Sequence, residues 1–301
     1  MKEKLLLVGG GVITAHYRQG LANSKVFALS ALADVNPDCA ARALYDVPFY
    51  TDWQEALADS NAGVALLATP PAPRFELAKE LLRRGVAVIT EKPMCDSLEQ
   101  LTALFALSDE YKTPVGCLLH WAYADETLFL KEHLHELGAV KRMKIRICDD
   151  YAASGVIRAD RRPLSGAWRD SGINALSYLG ELIDLSDARL LAAEGERDPA
   201  SGQMKYARRI FAFGEVTADV EVDWRTESRE KVSRIECGHG IAEIDHLRQT
   251  VRFNGEVVYA NPVADRLASH YENAFSQFRF GKEEQERTLR LHTILFGGDN
   301  A

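Results

Sequence analysis

Residues 4–14 read Lys4-Leu5-Leu6-Leu7-Val8-Gly9-Gly10-Gly11-Val12-Ile13-Thr14. Four apolar residues run into three glycines and then into a segment that can be helical. A strand, a tight turn and a helix in this order let backbone without side chains approach a pyrophosphate at the helix N-terminus. Thr14 stands where G-x-G-x-x-G has its third glycine, and three glycines alone can be no more than a turn. Asp34 strengthens the nucleotide reading. It follows Gly9 by 25 residues at the end of the next apolar run, where a carboxylate hydrogen-bonds a ribose hydroxyl and repels a 2′-phosphate. The plainer alternative is that Asp34 only begins the turn Asp34-Val35-Asn36-Pro37. Together the two features predict a dinucleotide site that takes NAD ahead of NADP, contacted by Gly9, Gly11, Val12, Ile13 and Asp34.

Outward from this stretch, apolar runs at 4–8, 27–34, 64–68, 86–90 and 114–119 alternate with helical patterns at 13–21, 37–44, 53–58, 73–84 and 97–112. Continuous Val, Ile, Leu and Ala runs separated by helices predict a parallel sheet covered on both faces. Residues 1–120 are therefore expected to form a Rossmann domain. Beyond 121 the pattern changes. Helices are expected at 125–137 and 172–185, and a polar connection at 151–169 carries Arg158, Arg161, Arg162 and Arg169. Period-two runs at 140–149, 205–213, 217–224, 232–237, 241–246, 250–253 and 256–259 predict a mainly antiparallel open sheet. Helices at 264–280 and 284–296 close a second α/β domain over 121–301, the last helix being free to pack back on the first domain.

Composition narrows the partners. The chain has 301 residues and a formal charge of −8, which argues against nucleic acid and anionic membrane surfaces. No apolar run reaches the roughly 20 residues needed to cross a bilayer, and the apolar start is too short for a secretory signal. Five cysteines, Cys39, Cys95, Cys117, Cys148 and Cys237, are scattered without a CxxC pair. They read as reduced thiols of a cytoplasmic protein. His133 and His135 are two apart and cannot share a metal face, so no metal is expected.

Three further segments sit at telling places. Ala68-Thr69-Pro70-Pro71 ends one strand, Thr90-Glu91-Lys92-Pro93 ends the next, and Asp170-Ser171-Gly172-Ile173-Asn174 opens a helix of the second domain. In this order and spacing the chain resembles the Gfo/Idh/MocA family of sugar and cyclitol oxidoreductases. The resemblance implies NAD(P)-dependent hydride transfer, a sugar-like small-molecule substrate and a homodimer or homotetramer. It implies cofactor contacts from Thr69, Pro70, Pro71, Glu91 and Lys92, and catalytic roles for Lys92, Asp170 and Asn174. Asn replaces the family's His at position 174, a pattern similar to the galactose and arabinose 1-dehydrogenase branch, in which the Asp moves the proton and the Asn orients the sugar. Arg74 stands where the family often has His.

Hydride chemistry belongs to the nicotinamide, so the protein has one proton to manage. Lys92 suits stabilisation of developing alkoxide character, and Asp170 suits a general base. Each has a plainer reading, as an exposed strand-end lysine and as a helix N-cap. His120 and Asp149 or Asp150, at strand ends, are expected substrate contacts, against the plainer reading of His120 as a satisfied buried histidine. One or two of Arg158, Arg161, Arg162 and Arg169, with Arg169 next to Asp170, are read as an anion clamp against the plainer reading of a solvated loop. A ketosugar or cyclic imine reductase would use the same groups in reverse. A dinucleotide-binding regulator without turnover would need neither Lys92 nor Asp170.

Overall fold

Leu5, Leu6 and Leu7 are wholly buried, as a strand covered on both faces must be. They lie in β1 (Glu3–Val8), which pairs in parallel with β2 (Phe27–Ala33) on one side and β4 (Val64–Leu67) on the other. With β3 (Phe49–Tyr50), β5 (Ala87–Glu91) and β6 (Val115–Leu118) they form an all-parallel sheet of order β3-β2-β1-β4-β5-β6. This is the doubly wound Rossmann order, whose direction reverses between β1 and β4. The computed structural model describes residues 2–299; residue 1 and residues 300–301, the outer ends of the two expected domains, lie outside that range.

The helices of this unit depart from expectation at its start. In place of one helix over 13–21, a 3-10 turn (Val12–Tyr17) leads into a short α1 (Arg18–Asn23). Val12, Ile13 and Thr14 are β-branched and poor at opening an α-helix. Both the amide and the hydroxyl of Thr14 donate to Gly11 O, at 3.0 and 2.6 Å, which sets a three-residue spacing. The helix expected over 37–44 is likewise only a turn, Ala40–Ala43. The remaining helices are α2 (Trp53–Ser60), α3 (Pro71–Arg83) and α4 (Leu98–Tyr111).

The second unit opens with α5 (Asp125–Leu137) and β7 (Val140–Cys148). A π-helical turn, Trp168–Gly172, then runs into α6 (Ile173–Leu182). Seven strands follow: β8 (Ala188–Arg197), β9 (Met204–Phe213), β10 (Val216–Asp223), β11 (Glu230–Cys237), β12 (Gly240–Asp245), β13 (Thr250–Phe253) and β14 (Glu256–Ala260). With β7 they form an eight-stranded sheet of order β14-β13-β12-β11-β7-β10-β9-β8, in which only β7 and β10 are parallel. Edge strand β8 was not expected from the sequence. Nearly all of it is exposed, so it lacks the alternation that marks a half-buried strand.

Two helices end the chain, α7 (Arg266–Gln277) and α8 (Lys282–Asp299). Residues 267–289 cluster with residues 1–120, and residues 290 onward with 121–266. Residues 267–280, expected in the second domain, thus belong with the first, because Tyr271 and Phe275 are wholly buried there. They close on Tyr17, whose ring lies 4.6 Å from Tyr271 and 5.6 Å from Phe275. Gly20 permits this: a Cβ on it would stand 2.8 Å from the Glu272 Cα. Among the described residues no helix is long and apolar enough to cross a membrane.

Candidate active site

In the first unit the residues singled out for the cofactor lie at or shortly past the carboxyl ends of parallel strands, the edge where α/β sheets bind ligands. Gly9 follows β1 with φ +99°, and a Cβ there would meet Ala68 C at 2.7 Å and Thr69 N at 2.8 Å. Only glycine lets the two strand ends come this close. Gly11 has nothing within 4 Å of its Cβ position, and Val12 beside it is 71% exposed. An open backbone position at the start of a helical turn has room for a phosphate. Ile13, next in line, is half-buried.

Asp34, one residue past β2, is engaged twice within the loop. Its Oδ2 accepts from Gly10 N at 2.5 Å, and its Oδ1 accepts from Asn36 N at 2.8 Å. It therefore builds the turn and also braces the glycine loop. Each carboxylate oxygen keeps a further lone pair, so a ribose hydroxyl can still be accepted.

Thr69 and Pro70 follow β4, and Pro71 opens α3. Lys92 follows β5 and is half-buried. Glu91, the residue before it, has its carboxylate engaged within the protein: Oε1 accepts from Tyr17 OH at 2.6 Å and from Tyr271 OH at 2.7 Å, and Oε2 from Lys92 N at 3.2 Å. Burial first, and then the neighbouring Glu91 charge, hold the Tyr17 phenol well above its ordinary pKa. It thus stays a donor to the carboxylate.

Arg74 is the residue whose role sequence reasoning missed. It is 5% exposed, and its guanidinium donates only to backbone. Nε and Nη2 reach Thr69 O at 2.8 and 2.6 Å, and Nη1 reaches Glu91 O at 2.8 Å and Pro93 O at 2.5 Å. An arginine amid the alanines and prolines that open α3 was the available signal. His120 is buried as well, with Nδ1 3.3 Å from His270 Nδ1 and its ring stacked on Tyr271 at 5.2 Å. It adjoins the tyrosine that holds Glu91.

In the second unit Asp170 lies in the π-helical turn, its amide donating to Gly166 O at 3.0 Å. Asn174 is buried in the first turn of α6. A π turn is a frequent companion of functional residues because it breaks the regular helical spacing. Here Gly172 makes it possible, since a Cβ there would stand 2.7 Å from the Trp168 ring.

Two other residues expected at the site have partners within this unit. Asp149 is a buried ion-pair partner, its Oδ2 2.6 Å from Lys231 Nζ. Burial lowers the Lys231 pKa against the pull of Asp149, and Asp170 is also among the charges it feels. Lys231, unremarked in the sequence, thus belongs to the surroundings of Asp170. Arg169 turns to the chain end, with nitrogens 2.9 and 2.8 Å from Asp299 Oδ2 and its guanidinium over the Phe296 ring. Arg158 and Arg161 lie over Tyr151 and pair with Asp160. The connection carries counter-charges of its own. The five cysteines are all free and buried. Burial pushes the Cys95 and Cys148 thiols up to about 12 and about 11, far from a nucleophile's range.

Comparison with known proteins adds to this geometry. Residues 4–117 match the model of an oxidoreductase family with an NAD-binding Rossmann fold. Galactose 1-dehydrogenase of Pseudomonas fluorescens is 27% identical over 204 residues, 62% of this chain and 64% of that protein. The NADP(+)-dependent scyllo-inositol 2-dehydrogenase of Bacillus subtilis is 22% identical over 180 residues, 56% of this chain and 55% of that protein. The alignments thus span less than two thirds of either relative. Among solved structures, a 3-ketoreductase from Actinomadura kijaniata in complex with NADP and TDP-benzene superposes with TM-score 0.83 at 15% identity, over 99% of this chain and 97% of that one. An oxidoreductase from Agrobacterium radiobacter in complex with NAD+, L-tartaric acid and magnesium gives 0.80 at 14%, over 98% and 95%. At such identities the likeness carries the fold.

Proposed function

We propose that this chain, whose residues 4–117 match the model of an oxidoreductase family with an NAD-binding Rossmann fold, is a Gfo/Idh/MocA-type NAD(P)-dependent dehydrogenase of a sugar-like alcohol, in the manner of an aldose 1-dehydrogenase. The observation that carries the reading is the alignment of Gly9, Asp34, Thr69 and Lys92 along the carboxyl ends of four neighbouring strands, β1, β2, β4 and β5. The cradle fits a dinucleotide. Gly11 is open where a pyrophosphate would lie, Asp34 has lone pairs for the adenosine ribose, and Thr69 with Pro70 flanks the turn that bears Lys92. When bound, the nicotinamide accepts the hydride. NAD is the expected cofactor and NADP the alternative, because the exposed Val35 beside Asp34 offers no charge to a 2′-phosphate.

The chain's own residues manage the proton. Lys92 donates hydrogen bonds to the oxygen of the alcohol being oxidised and stabilises its developing negative charge. Asp170 takes the proton that leaves that oxygen. The Asn174 amide cannot act as a base, but it can donate to one sugar hydroxyl and accept from another, which orients the ring. Run backwards, the same groups reduce a ketosugar or a cyclic imine. A binding-only regulator would have no use for Lys92 and Asp170 together.

A homodimer or homotetramer and a cytoplasmic setting complete the proposal. The unpaired edge of β8, with Leu191 56% exposed, is a surface that association would cover, which light scattering would test. Five free buried thiols suit a reducing compartment. The deciding experiment is a turnover panel of aldoses, ketosugars and cyclic imines with NAD and NADP. D-Galactose or L-arabinose oxidised with NAD is the expected result. NADH binding without turnover of any member would leave the regulator.

A further inference from the structure

We propose that Arg74 is a positioning residue for Lys92, setting the lysine turn against the Thr69 strand end. Lys92 has Glu91 before it and Pro93 after it, and one nitrogen of Arg74, Nη1, donates to the carbonyls of both, at 2.8 and 2.5 Å. The other two nitrogens donate to Thr69 O. A single planar group therefore fixes the distance between the turn that carries the proton-handling lysine and the loop expected to flank the nicotinamide. The pin is doubled from the far side, where the Tyr17 and Tyr271 hydroxyls hold the Glu91 carboxylate.

The chemistry of the site asks for arginine in particular. A buried cation is costly to desolvate unless all its donors are used, and here every nitrogen has an acceptor. Four charge-assisted bonds to backbone define an orientation as well as an attraction. Burial lowers the Arg74 pKa from its ordinary value, and the Glu91 charge works against that through space. Lysine in the same place would present one compact ammonium that cannot span Thr69 O and the Glu91–Pro93 pair together. Hydride transfer tolerates little displacement, and a shift of about 1 Å in a reacting group can cost on the order of a hundredfold.

The proposal rests on the reading of Lys92 as the group that handles the proton, and the experiment separates the two. Arg74→Lys keeps the charge and most of the volume, and folding is checked by melting. With D-galactose and NAD, Arg74→Lys should lower kcat about 10- to 100-fold while NADH affinity, read by fluorescence titration, stays within about threefold. In a Lys92→Ala background the same substitution should cost less than about twofold, because residues acting as a unit are not additive. An equal loss in both backgrounds overturns the proposal, since Arg74 would then act independently of Lys92. A second readout needs neither substrate nor cofactor. Competitive acetylation by acetic anhydride, followed by peptide mass spectrometry, gives the reactivity of Lys92 relative to Lys79 on the same helix as Arg74. Arg74→Lys should change that ratio at least about threefold, and an unchanged ratio also overturns the proposal. If Lys92→Ala alone keeps full turnover, the proton role of Lys92 falls, and the acetylation ratio decides the Arg74 proposal by itself.

Discussion

Asp34 answers to two amides at once, Gly10 N at 2.5 Å and Asn36 N at 2.8 Å, so its removal has two effects. Asp34→Ala should lower kcat/KM with NAD by at least about tenfold, through the lost ribose acceptor and a loosened loop. It should lower kcat/KM with NADP less, because the repulsion of a 2′-phosphate goes as well. Steady-state kinetics with both cofactors checks this, and a wild type that already prefers NADP would end the assignment. The position of Asp34 was legible in the sequence because its partners are 24 and 2 residues away, inside one strand–helix–strand pattern. The partners of Glu91 and Asp149 were not legible, for the opposite reason. The partners that claim their carboxylates lie 74, 180 and 82 residues away, and no local pattern announces a tyrosine or lysine arriving from there. The pairing of Arg169 with Asp299, at a separation of 130, was hidden in the same way.

Among elements, the buried parallel strands were the most legible, since an apolar run bounded by glycine and proline and too short for a helix fits little besides a covered strand. What escaped was whatever packing alone decides: the two-residue β3, the exposed edge β8 and the π-helical turn before α6. The contact of α1 with α7 is of this kind and can be tested. A Cβ on Gly20 would stand 2.8 and 2.9 Å from Glu272 Cα and N, and backbone cannot move aside as a flexible side chain would. Gly20→Ala should force the helices apart, loosen the Tyr17 and Tyr271 hold on Glu91, and cost about 1–3 kcal/mol. Circular dichroism should show melting lowered by roughly 3–10 °C, and an unchanged melt would mean that the helices are not held as described. The pairing of β9 with β10 makes a second prediction. Arg208 donates to both oxygens of buried Asp219, at 2.9 and 2.8 Å, and these bonds are the leading cause that lowers the Asp219 pKa. A carboxylate depressed in the folded state contributes stability that is complete above its unfolded pKa of about 4 and is lost as pH falls through the folded value. Asp219→Asn should therefore destabilise at pH 7, and its gap from wild type should narrow in urea titrations as pH falls through the folded value. A constant gap across that range would contradict the pair's ionic character.

For the whole molecule, the telling stretch is the end of α8, residues 290–299, which groups with the second unit although the helix begins in the first. Its terminal carbonyls are acceptors for buried donors: Leu295 O for Trp168 Nε1 at 2.8 Å, and Gly298 O for Arg209 Nε at 2.6 Å. Arg209 is wholly buried. Ending the chain at 289 would take away the acceptors of the indole and of the guanidinium Nε, and each buried donor left unsatisfied costs about 1–3 kcal/mol. The truncated chain should lose the cooperative unfolding of its second unit, seen in urea as early, shallow exposure of Trp168 by fluorescence. A single sharp transition matching the full chain would show that the C-terminal carbonyls are dispensable.

The five buried thiols have a practical consequence: the native chain carries a clock. A disulfide reagent such as Ellman's can touch a buried sulfur only when the structure opens, so the release of colour over time counts openings, not exposed sites. The sulfurs need not all keep the same time. Cys39 is 9% exposed, and its Sγ lies 2.5 Å from where a Cβ on Gly10 would be, so its hand is set by the glycine loop. Cys95, at 0%, waits for the core of the first unit to part. Adding NAD should slow the first hand and leave the second to global unfolding, giving dinucleotide occupancy a readout that needs no substrate.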